Sequence, residues 1–100
     1  MPKVKHIALI EFKPSATAQD QALFWKTIKD LPKQIPGILE FSSGQNISSE
    51  GLNQGFTHSF LMTFESEQAR DAYLPHPIHQ AAVKLVLPML ERIIVIDHAA

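Results

Sequence analysis

Two short segments constrain this chain more than anything else in it. From Lys3 to Phe12, one parity carries Val4, His6, Ala8, Ile10 and Phe12, and the other carries Ile7 and Leu9 between Lys5 and Glu11. Near the other end, Ile93-Ile94-Val95-Ile96 is apolar on every position. A strand with one face in water alternates apolar and polar residues, whereas a strand covered on both faces does not. Both segments therefore read as strands covered on both sides. A chain of 100 residues makes one modest core, so residues 1–100 are read as one domain. Its helices can cover one side of a sheet, and the other side is expected to be covered by a second copy.

Between these strands the pattern changes period. Thr17 is an N-cap candidate with Asp20 three residues on, and Phe24, Ile28, Leu31 and Ile35 then recur at helical spacing. That helix is expected to end or kink at Pro32 and to be over by Pro36-Gly37. A strand follows from Ile38 to Ile47, then a Ser, Asn and Gly-rich loop over Ser48–Gly55. Thr57–Glu65 is a third strand, with His58, Phe60, Met62 and Phe64 on one face. Ser66 caps a short helix that breaks at Pro75, and Pro77 suits the first position of another. Leu90–Asp97 is the last strand. The order β-α-β-β-α-α-β predicts an α+β, ferredoxin-like fold with an antiparallel four-stranded sheet, paired with its copy into a dimeric α+β barrel.

Charge and composition exclude several functions. The net charge of −1, with its lysines scattered, gives no footing for nucleic acid or an anionic membrane. No apolar stretch approaches the roughly 20 residues that span a bilayer, and the N-terminus does not have the form of a signal peptide, so a cytoplasmic location is expected. There is no cysteine, hence no thiolate nucleophile or thiolate metal site. His76 and His79 are three apart but have Pro77 between them and no carboxylate beside them. No metal or cofactor is expected.

Four passages in order, Lys5-His6-Ile7-Ala8-Leu9-Ile10-Glu11-Phe12, Ile35-Pro36-Gly37-Ile38, Gly55-Phe56-Thr57-His58 leading into Phe64-Glu65-Ser66-Glu67, and Tyr73-Leu74-Pro75-His76-Pro77-Ile78-His79, resemble the stress-responsive A/B barrel (Dabb) family. The resemblance covers nearly all the chain and implies a dimeric α+β barrel. Plant members are stress-induced proteins, and one member is a polyketide cyclase that performs an intramolecular aldol condensation. The resemblance to it places a catalytic pair at Tyr73 and His79 and pocket histidines at His6 and His58. It also places Ile28 where that enzyme has a pocket tyrosine.

The residue types allow that chemistry. A neutral imidazole in the first turn of a helix can take a carbon-bound proton near pH 7, and a phenol can hydrogen-bond the enolate that forms. The bland alternative has Tyr73 packed under its helix and His79 capping a backbone group. His6 and His58 share strand faces with apolar residues, where a packed core histidine is the ordinary outcome. Three readings follow: a homodimer binding a small, mostly apolar molecule in the barrel cavity; a cyclase-like lyase or isomerase acting on a polyketide-like compound; and a stress-protective oligomer without catalysis.

Overall fold

The computed structural model describes residues 2–100. It has β1 (Val4–Phe12), α1 (Ala18–Gln34), β2 (Ile38–Gln45), β3 (His58–Phe64), α2 (Glu67–Tyr73), α3 (Pro77–Val86), a 3₁₀ turn (Leu87–Met89) and β4 (Leu90–Ala99). The strands form one antiparallel sheet in the order β2-β3-β1-β4. This is the ferredoxin-like α+β arrangement expected from the sequence.

Local chemistry sets the helix ends. Thr17 Oγ1 accepts from the Asp20 N–H and Asp20 Oδ2 accepts from the Thr17 N–H, each at 3.0 Å, so two of the free N–H groups at the start of α1 are satisfied reciprocally. Ser66 Oγ accepts from the Ala69 N–H at 3.1 Å and starts α2. His76 Nδ1 accepts from the Ile78 N–H at 3.1 Å and caps α3, with Pro77 in the first position. The helix α1 passes through Pro32 and ends at Gln34. A proline there removes only one hydrogen bond of the last turn, and the buried Phe24, Ile28 and Leu31 hold the helix to the sheet. Strand β2 stops two residues before Ile47. Strand β4 runs two residues past Asp97, because His98 and Ala99 still pair with Lys5 and Val4 of β1.

Register sorts the sheet into two faces. His6, Ala8 and Ile10 of β1 lie beside Met62, Phe60 and His58 of β3, and beside Asp97, Val95 and Ile93 of β4. This is the helix side, and its centre, with Phe24, Ile28 and Leu31 from α1 and Tyr73, Ala82 and Val86 from α2 and α3, forms the core. The other face carries Ile7, Leu9, Leu61, Ile94 and Ile96, with no helix over it. At one end Lys5 Nζ donates to Thr63 Oγ1 at 2.9 Å and covers it. At the other, the β2–β3 loop folds back and is pinned by Arg92. That guanidinium donates to Glu11 Oε1 at 2.6 Å and to the Gln54 carbonyl, and lies 4.3 Å from the centre of the Phe56 ring. Gly55 passes beneath it at φ +88°, a conformation that favours glycine, and a Cβ there would stand 2.6 Å from Arg92 Nη2 and displace the guanidinium. Among the described residues no helix is long and apolar enough to cross a membrane.

Candidate functional site

A cavity of about 320 Å³ opens between the sheet's helix side and the helices of the same chain. Phe24 and Ile28 from α1, Ala82, Val83 and Val86 from α3, and Ile93 and Val95 from β4 make its walls apolar. Three polar side chains converge at one end: His6 from β1, Tyr73 from the last turn of α2 and His79 from the first turn of α3. The break at Leu74-Pro75-His76 folds α3 back against α2 and brings the Tyr73 and His79 rings to 4.1 Å between centroids. The His6 ring centroid lies 6.1 Å from that of Tyr73.

Hydrogen bonding fixes what each group can do. His79 Nδ1 is 2.9 Å from the Leu74 carbonyl oxygen. A carbonyl only accepts, so Nδ1 carries the proton and Nε2 keeps its lone pair. Burial pushes the His79 pKa below its ordinary 6.5, the Leu74 hydrogen bond opposes that shift, and the neighbouring His6 and His76 add to it. The ring is therefore neutral at pH 7. Burial pushes the Tyr73 phenol well above its usual range, so it stays protonated and can donate. Among the described residues no hydrogen bond engages the Tyr73 hydroxyl, yet no fully buried side-chain oxygen lacks a partner. That hydroxyl therefore faces the open space its side chain lines. His6 Nδ1 lies 2.7 Å from Asp97 Oδ1, and a carboxylate likewise fixes the proton on Nδ1.

The structure brings together four of the five residues singled out in the sequence: His6, Ile28, Tyr73 and His79 all line this cavity. His58 does not. It sits at the far end of β3, opposite Ile10, against Phe12 and Trp25, with ring centroids 5.4 and 5.7 Å away. There it borders a second, larger depression of about 440 Å³ that reaches Leu9 and Ile94 on the bare face. Among the described residues no three His, Asp or Glu side chains gather as a metal site. Sequence reasoning missed Asp97 and Arg70, whose side chains join His6 in a chain of hydrogen bonds; no spacing signal links positions 6, 70 and 97.

Fold and site together define a class: a ferredoxin-like α+β protein with a histidine- and tyrosine-bearing cavity between its helices and one face of its sheet. The model of the Dabb family, the Stress responsive A/B Barrel Domain, matches residues 4–100, and the chain belongs to that family. It is 35% identical over 95 residues to the stress-response A/B barrel domain-containing protein HS1 of Arabidopsis thaliana, covering 95% of this chain and 87% of that one. It is 27% identical over 95 residues to the olivetolic acid cyclase of Cannabis sativa, covering 95% and 94% respectively. A solved dimeric ferredoxin-like protein of unknown function from Jannaschia sp. CCS1 superposes with a TM-score of 0.85 at 25% identity, over 98% of this chain and 99% of that one.

Proposed function

We propose that this chain works as a homodimer whose helix-side cavities each bind a small, mostly apolar carbonyl compound and activate the C–H bond beside its carbonyl. His79 Nε2 takes the proton, the C–H electron pair becomes an enolate, and the Tyr73 O–H hydrogen-bonds the developing oxyanion. The enolate carbon then attacks a second carbonyl of the same molecule, and the His79 imidazolium returns the proton to the alkoxide. Apolar walls suit an alkyl or aryl tail, and Ile28 adds to them. The observation that carries the reading is the pairing of a neutral imidazole, its lone pair free on Nε2, with an unengaged phenol at the one polar end of an apolar cavity. The similarity to a cyclase supports it. For the dimer, support comes from the bare sheet face and the dimeric Jannaschia protein.

A simple probe tests the chemistry. Butyrophenone in D₂O exchanges the hydrogens beside its carbonyl for deuterium, which proton NMR follows. The protein should accelerate that exchange. His79→Ala should remove about 10²–10⁴-fold of the acceleration, and Tyr73→Phe about 10²–10³-fold, each with the fold intact by circular dichroism. Butyrophenone that binds without exchanging would leave a carrier rather than an enzyme. If it neither binds nor exchanges, the reading fails for this ligand class.

A further inference from the structure

The polar end of the cavity is tied to the protein surface by a continuous chain of side chains. His6 Nδ1 donates to Asp97 Oδ1 at 2.7 Å, and Arg70 Nη1 donates to Asp97 Oδ2 at 2.7 Å. Arg70 Nε also donates to Asp71 Oδ1 at 3.0 Å. Burial changes along this chain. The His6 side chain is 9% exposed, Asp97 20% and Arg70 23%. Both carboxylate oxygens of Asp97 are thus in use, one facing the cavity wall and one facing out.

The covalent frame makes this link mechanical as well as electrostatic. Arg70 stands on α2 three residues before Tyr73, so the two lie on one side of that helix. Asp97 stands on β4, directly opposite His6 in the β1–β4 register. The edge strand β4 is paired on one side only, with β1. The Arg70–Asp97 contact joins the far end of β4 to α2. The ion pair therefore bears on which way the Asp97 carboxylate points, and it ties the helix carrying Tyr73 to the strand beside His6.

We propose that Arg70 is a positioning residue for the cavity: by holding the outer oxygen of Asp97 it keeps the inner oxygen on His6 Nδ1, fixing the His6 tautomer with Nε2 unprotonated. His6 thereby presents a hydrogen-bond acceptor beside the Tyr73 ring rather than a donor. This assignment deepens the acid–base reading above, because a cavity in which the neutral forms of both imidazoles leave Nε2 as an acceptor, beside one phenol, recognises a ligand through donors and C–H acids. A carboxylate finds only the phenol to bind it. Hydrogen bonds to Asp97 first, and to Asp71 next, hold the guanidinium protonated, so the clamp keeps its charge at every working pH.

The imidazole nitrogens of ¹⁵N-histidine-labelled protein report the tautomer of each ring directly, without any substrate. In the unaltered protein the His6 signals should be those of a single Nδ1–H tautomer. Arg70→Met should turn them into an average of both tautomers, while the His79 signals, fixed by the Leu74 carbonyl, stay where they were. Arg70→Lys, which keeps a charged donor for Asp97, should restore the single tautomer. Should Arg70→Met fail to fold, Arg70→Leu, which likewise leaves Asp97 without a donor, is read the same way. A His6 tautomer unchanged by the loss of Arg70 overturns the proposal, as does a mixture already present in the unaltered protein. Turnover does not enter this measurement, so the positioning role and the exchange chemistry fail separately. With butyrophenone as probe, Arg70→Met should also slow exchange about tenfold, and Arg70→Lys should recover most of that loss.

Discussion

On the helix side of the sheet, Ala8, Ile10, Met62 and Phe64 have no exposed surface, whereas on the other side Leu9, Ile94 and Ile96 keep 37, 44 and 59% of theirs. The residues are of the same apolar kind, and β1 supplies members of both sets; on the edge strand β4, Ile93 and Val95 on the helix side also keep 39 and 48%. What separates them is who covers them. The helix side is closed by the chain's own helices and encloses a cavity with three polar groups; the bare side has only the Arg92-pinned loop at one end and Lys5 at the other. A monomer seldom leaves so much contiguous apolar surface in water. The cavity and the bare face also lie back to back, so a ligand on one side and a second copy on the other do not compete for space.

The largest effect expected of any change to this contrast is on assembly. Ile94→Asp puts a charge on the bare face beside Leu9, and in a two-fold interface it does so twice. A buried unpaired charge costs about 3–5 kcal/mol, enough to separate a dimer at micromolar concentration. Light scattering should give two chain masses for the unaltered protein and one for the variant, with butyrophenone binding retained. A variant that stays dimeric means another surface joins the copies.

Stability offers the next test. Met62→Ala, on the helix side, should cost about 2–5 kcal/mol in denaturant unfolding. Ile96→Ala, measured in the Ile94→Asp background where the bare face meets water, should change stability by less than about 0.5 kcal/mol. Similar costs at the two positions would erase the distinction between the faces.

Acid gives the smallest effect. Burial lowers the pKa of both His79 and His58. The unfolded chain, with histidines near the ordinary 6.5, therefore binds protons that the folded chain refuses. Stability from this source is whole above about pH 6.5 and is lost as pH falls from there through the lowered folded values. Thermal melts between about pH 7.5 and 5.5 should show a shallow decline that His79→Gln makes shallower. The same sign governs catalysis: the exchange rate should hold at pH 6.5 and drop only at lower pH, as His79 is protonated.

Alternation and turn residues made the fold legible. The unbroken apolar runs at Ile7–Ile10 and Ile93–Ile96 announced a sheet needing cover on two sides, and Thr17, Ser66 and Pro77 stand where the helices begin. The site was legible only in part, for a physical reason. Strand parity assigns a residue to a face but not to a place along it. His6 and His58 share the helix-side parity, yet in the register His6 lies opposite Met62 and His58 lies opposite Ile10. Those pairs stand four residues apart along β1, which separates His6 under Tyr73 from His58 beside Trp25. The apolar residues of α3 likewise divide: Ala82 and Val86 turn into the core, while Ile78 and Leu85 border a shallow groove against α1. The Arg70–Asp97–His6 chain joins three elements through pairings that no local pattern encodes.

Strand β4 gives alternate residues to the cavity wall and to the bare face: Ile93 and Val95 to one, Ile94 and Ile96 to the other. Over this stretch every side chain is a branched aliphatic, so exchanging one for another by point mutation disturbs little. Inserting or deleting a single residue is a different kind of event. It would carry Asp97 from beside His6 to the opposite face and turn the whole row over with it. Descendants of this sequence can therefore drift freely in which aliphatic they place along β4, while the β2–β3 loop, away from the Arg92 clamp, is where length can change. From Ile93 to Ile96 the letters are interchangeable and their number is not.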